Sequence, residues 1–168
     1  MTGETVLKLG DLHFPAGSAR GITQTLDLVS NGELRRTVNG DLKDITRQQN
    51  RKFSSSINCS DTESPTLQGI WKGTQLVVEC IQPFRQLVKP AALVTNLIRT
   101  PVTGSVFGRD NTNVKVLPTS VIGLVATFPS NIVMVEYRPI LTMMVSDISE
   151  DKDEYGAVES WSLSLEEV

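Results

Sequence analysis

Histidine is nearly absent from this chain and cysteine is scarce: His13, Cys59 and Cys80 are all that its 168 residues offer. Each shortage excludes a class of chemistry. A hydrolytic triad needs a histidine between a nucleophile and an orienting carboxylate. His13 lies between Leu12 and Phe14, where nothing in the neighbourhood supports a triad, and no Gly-x-Ser-x-Gly motif occurs. With no Cys-x-x-Cys and no Cys/His cluster, zinc has no ligand set. Two cysteines do not make a disulfide framework. Aromatic residues make up 5% of the chain, too few for a stacking surface on single-stranded nucleic acid. Gly-x-Gly-x-x-Gly and the P-loop are both missing, so nucleotide binding has no positive sign. The net charge of -3 and a pI near 5.2 argue against a nucleic-acid protein. No apolar run approaches the length of a membrane span. Met1-Thr2-Gly3-Glu4 lacks the basic start and apolar core of a signal peptide. The expectation is folding in a reducing cytoplasm with free thiols.

What the chain does have is alternation. Near its end, Ala157, Trp161, Leu163 and Leu165 share one parity, broken only by Glu159, and Ser160, Ser162, Ser164 and Glu166 take the other. Such a period of two predicts a strand with one buried and one wet face. Phe53, Ser55, Ile57 and Cys59 alternate with Ser54, Ser56, Asn58 and Ser60 in the same way. Gln75 to Gln82 puts Leu76, Val78 and Cys80 on one parity, so both cysteines are expected inside, as inert buried thiols or as a cross-strand pair. Leu7 and Leu9 mark a short first strand. Leu26 and Leu28 point inward from a strand over Ile22–Leu28. Asn31-Gly32 and Asn39-Gly40 are hairpin signals, because a type I′ turn needs positive φ at both central residues. Asp61 to Gly73 is expected to be a structured turn, and Phe128-Pro129-Ser130-Asn131 to turn the chain. Ile132 to Val145, apolar on both parities, predicts a strand covered on both faces. Trp71 and Trp161 are expected as core anchors.

Residues 84–125 are repeatedly broken by proline, glycine and asparagine. A short helix fits Ala91 to Ile98, and the whole segment predicts a long insertion or protruding loop. Such excursions often reach a neighbouring subunit, which makes Arg109 an interface candidate. The fold class is all-β, a β-sandwich or split barrel with long hairpins, in a single domain over residues 1–168.

Two charged clusters remain. Asp151-x-Asp153-x-Tyr155-Gly156 matches the first, third and sixth positions of a calcium loop. Tyr155 at the fifth and Ser162 at the twelfth do not fit, so a solvated hairpin tip is the simpler reading. Arg35, Arg36, Lys43, Arg47, Arg51 and Lys52 form a basic stretch without interleaved aromatics. In a head-to-tail oligomer, Arg35, Arg36, Arg47 and Arg51 would face Asp147, Glu150, Asp151, Asp153 and Glu154 across the seam.

Three blocks resemble a known kind of protein. They are Leu34-Arg35-Arg36-Thr37-Val38-Asn39-Gly40; Ile57-Asn58-Cys59-Ser60-Asp61 with Pro65 and Gly69-Ile70-Trp71-Lys72-Gly73; and Tyr137 to Val145 with Trp161 to Val168. Together, over about half of the chain, they resemble small structural tail and baseplate proteins of tailed bacteriophages. The resemblance implies a non-enzymatic virion component without cofactors, folded in the host cytoplasm. Its partners would be copies of itself in a ring and other tail proteins, with no small-molecule substrate and no membrane. Nucleic acid would meet it only in passage, if it lines a tube, where the acidic C-terminal hairpin would keep DNA from sticking. A capsid decoration or cement protein is the alternative, and a carbohydrate-binding β-sandwich module the next. The last would want exposed aromatics beside acidic residues, and aromatics are few.

Overall fold

The computed structural model describes residues 5–29, 34–45, 51–154 and 158–168. Every regular element among them is a strand. In chain order they are β1 (Lys8–Leu9), β2 (Thr23–Val29), β3 (Leu34–Arg36), β4 (Leu42–Asp44), β5 (Lys52–Asp61), β6 (Gln75–Glu79), β7 (Phe84–Asn96), β8 (Phe107–Arg109), β9 (Lys115–Val116), β10 (Ser120–Ile122), β11 (Val125–Tyr137), β12 (Ile140–Lys152) and β13 (Glu159–Glu167). They form three sheets, none closed into a barrel: the fold is all-β with open, sandwich-like sheets. The chain divides into two compact units, one chiefly His13–Leu76 and Thr142–Val168, the other Val6–Leu12 and Val77–Leu141.

The first unit is built on an antiparallel sheet in the order β12-β13-β5-β2. Residues directly opposite one another share a face. On the inner face, Leu165 opposes Ser55, Leu163 opposes Ile57 and Trp161 opposes Cys59, and all six are buried. The parity read in the sequence is therefore the parity of the core. The indole Nε1–H of Trp161 donates to the Ser18 carbonyl at 3.2 Å, so the largest buried side chain leaves no unpaired donor. The Cys59 thiol donates to the same carbonyl at 3.5 Å, and burial pushes its pKa up. Cys59 and Cys80 are both buried free thiols.

A bulge in β12 sets which residues the hairpin shows to water. Leu141, Met143 and Val145 are buried, and continuing that parity would send Asp147 and Asp151 into the core. The register shifts by one residue between Val145 and Asp147. Ile148 now opposes buried Leu163, and Asp147 opposes Ser164 on the outer face.

The second unit centres on β11. β7 pairs along one side of it, and β10 and β8 pair in succession along the other. Val88, Leu97, Val106, Ala126, Phe128, Ile132, Val135 and Tyr137 form its core. Gly108 on β8 has no room for a side chain, since a Cβ there would stand 2.6 Å from the Ile132 side chain. The Tyr137 hydroxyl accepts the backbone N–H groups of Ile98 and Arg99 at 3.0 and 3.1 Å.

Several expectations are corrected here. Ala91 to Asn96 is not helical but completes β7, because β11 offers its apolar side chains a partner strand and non-local pairing overrides local preference. Residues 84–125 carry β7 to β10 and much of the second unit's core, so they are not a protruding loop. Phe128-Pro129-Ser130-Asn131 does not reverse the chain. It lies within β11, where prolines at 129 and 90 remove donors and the ladder skips from Thr127 to Ile132. The reversal comes earlier, at Gly123-Leu124 between β10 and β11, with Gly123 at φ 59° as a type II′ turn demands. The run from Ile132 to Val145 is two strands, and Met144 is exposed rather than covered. Leu28 is also exposed, near the end of β2. The Asn39-Gly40 hairpin forms between β3 and β4, but Thr37 N–H bonds the Asp41 carbonyl around a three-residue loop. Only Gly40 takes positive φ there, so the turn is not type I′. Trp71 is 75% exposed and anchors no core. The Asn31-Gly32 signal lies outside the described residues.

Candidate functional site

Sheet edges are the first candidate. Among the described residues, β7 pairs only with β11, but it is not straight: Gln86 Nε2 donates to the Asn96 carbonyl at 2.8 Å, so the strand folds back between them and its outer edge is two short stretches. Such an edge is a template for another strand. Pro90 divides it into two stretches, and Leu87, Leu93 and Val94 are exposed along them. The β10–β11 hairpin adds to this surface. Ala126 and Thr95 face the core, while Ile122, Val125 and Val94 lie on the opposite, wet face. Ile122 is 77% exposed, and Leu124 at the turn is exposed too. No charged residue falls between Lys115 and Glu136. Sequence reasoning missed this surface; the uncharged run with a glycine at its middle was the available signal.

The charged candidates scatter. Arg35 and Arg36 lie on β3, where Arg35 opposes Lys43 and Arg36 donates to the Gly40 carbonyl at 2.9 Å. Arg51 is exposed just before β5, and Arg47 lies outside the described residues. Arg109 belongs to the second unit, on β8, and donates to the carbonyl and side chain of Asn113 at 3.3 and 3.4 Å. Its guanidinium and the Lys115 ammonium both approach the Phe107 ring. Asp147, Glu150 and Asp151 are exposed on β12, with Asp153 and Glu154 following it. The acidic residues therefore run along a strand and past its end. No group of three or more His, Cys, Asp or Glu among the described residues is placed to hold a metal.

The outer face of the first unit's sheet is a hydroxyl array. Asp147, Ser164, Ser56 and Thr25 form one row across four strands, and Ser149, Ser162, Asn58 and Thr23 the next. Asp151, Ser160 and Ser60 form a third, with Ser160 Oγ 3.2 Å from Ser60 Oγ. A shallow hollow of about 430 Å³ opens over the last two rows. Its groups accept and donate hydrogen bonds, and no histidine lines it. Asp61, at the rim of this sheet, is instead structural. Arg20 holds it through Nη2 at 2.7 Å and through its backbone N–H at 2.9 Å. Those bonds hold its carboxyl well below the usual carboxylate range.

Comparisons with protein-family models, with curated proteins and with solved structures found no match to this chain.

Proposed function

We propose that this protein is a structural building block that acts by assembly, joining copies of itself through the outer edge of β7 and the apolar β10–β11 tip. The outer edge of β7 over residues 91–96, beside exposed Ile122, Val125 and Val94, carries this reading. A strand edge with apolar neighbours is a liability in a solitary protein and an asset in one that pairs. The more specific reading is a phage-tail component: a tail-tube, baseplate or connector ring protein without enzymatic activity. It is supported by the resemblance of the three sequence blocks and is compatible with the all-β fold.

Sedimentation of the purified chain over a range of concentrations tests the first reading. Mass action should drive the wild type into larger species, and Val94→Lys with Ile122→Lys should shift it back toward monomer without altering its circular dichroism. A wild type that stays monomeric throughout counts against it. Quantitative mass spectrometry of purified particles tests the second. A few rings' worth of copies fits a tail, hundreds fit a capsid decoration, and none removes both.

A further inference from the structure

We propose that the groove beside Trp71 is a carbohydrate-binding subsite that stacks a pyranose ring on the indole. This goes beyond the assembly reading and depends on none of it.

The groove has a volume of about 540 Å³ and is lined by Gln68, Trp71, Lys72, Asp147, Ile148 and Glu150. That lies within the roughly 300–1,000 Å³ of small-molecule clefts. Its floor is the edge of β12 past Val145, and its wall is the turn that carries Trp71. The turn is pinned. Gly73 N–H donates to the Val145 carbonyl at 2.8 Å, and Val145 N–H donates to the Thr74 carbonyl at 2.9 Å. Thr74 N–H returns to the Trp71 carbonyl at 2.9 Å, while Trp71 N–H donates to Thr74 Oγ1 at 3.1 Å. Upstream, buried Leu67 accepts the Ile70 N–H at 3.1 Å. Gly69 and Gly73 supply the positive φ that both bends require. The turn's backbone is thus held in place with a large aromatic side chain exposed on it, although burying such a side chain would stabilise the fold. An exposed tryptophan in a groove that two carboxylates also line is a feature to explain by binding.

The lining selects the ligand class. Asp147 and Glu150 leave β12 on opposite faces and flank its edge, offering acceptors. Gln68 and Lys72 offer donors. A sugar presents an apolar C–H face to the indole and hydroxyls, each both donor and acceptor, around its rim. Bonds from those hydroxyls to carboxylates are charge-assisted and among the stronger kind. A nucleotide could stack equally well, but two carboxylates repel its phosphate. A cationic side chain would meet Lys72.

Intrinsic fluorescence tests the proposal, because Trp161 is buried and Trp71 alone is open to iodide quenching. The probes are cello-, malto- and N-acetylglucosamine hexasaccharides, with a lysine-rich peptide as the competing class. At least one saccharide should protect Trp71 saturably. Trp71→Ala should weaken its binding about tenfold or more by calorimetry. Asp147→Asn with Glu150→Gln should weaken it while leaving the near-ultraviolet dichroism of Trp161 intact. Protection by none of the saccharides overturns the proposal, as does protection by the peptide alone or unchanged affinity in Trp71→Ala. Sedimentation of the same samples is a separate readout, so failure here leaves the assembly reading standing.

Discussion

Tyr137 shows what one buried hydroxyl does. It has no solvent exposure, and its oxygen accepts two N–H groups where the chain leaves β7. Removing the oxygen leaves two amides without an acceptor. Tyr137→Phe should therefore cost about 1–3 kcal/mol, read as a lower urea midpoint with an unchanged slope. Asp61 works through charge. Its folded-state pKa is depressed chiefly by the Arg20 side chain and next by the Arg20 backbone N–H. A depressed carboxylate contributes stability that is present above its unfolded pKa of about 4 and lost as acid protonates the folded state. The gap in melting temperature between wild type and Asp61→Asn should be level above about pH 5 and close as the pH falls below it. A gap that stays constant into strong acid would show that the ionised carboxylate is not what matters. Neither role was legible in the sequence, because the partners Arg20 and Ile98 lie some forty residues from the groups they meet.

Among the elements, β13 and β5 were read almost as they stand, since each has one face in the core and one in water. Their pairing leaves Trp161, Leu163, Leu165, Ile57 and Cys59 no other side to take. The bulge in β12 is the counterexample. Leu141, Met143 and Val145 set one parity and Ile148 the other, and in the sequence that change of parity reads as a strand covered on both faces. Deleting Ser146 removes the extra residue and gives an unbroken ladder that keeps Asp147 opposite Ser164 and Ile148 opposite Leu163. The expected result is a retained cooperative melting transition, followed by circular dichroism; its loss would mean that the bulge itself, and not only the register it sets, is needed for the fold. β7 and β11 were illegible for a different reason. Prolines at 90 and 129 made each look interrupted, whereas the two irregularities fall where the strands meet and accommodate one another. Trp71 breaks the expectation that so large an apolar side chain is buried. Its neighbours Gly69 and Gly73, both at positive φ, mark the bends of the exposed turn that carries it.

At the scale of the molecule, two units each have their own core, and the division falls within β6 and β12. Composition alone could not reveal this, since both units are β-rich and the break is marked by no linker. The two buried thiols give the division a practical use. Cys59 lies in the first unit and Cys80 in the second, each sealed from solvent in the native state. An alkylating reagent can reach a sealed thiol only when the structure around it opens. The protein therefore contains two internal clocks, each timing the opening of its own unit. Mass spectrometry of the tryptic peptides after graded exposure to iodoacetamide reads both at once. If the units open separately the two labelling rates should differ, and Tyr137→Phe should accelerate Cys80 more than Cys59. Equal rates that respond equally to the substitution would mean that the protein opens only as a whole.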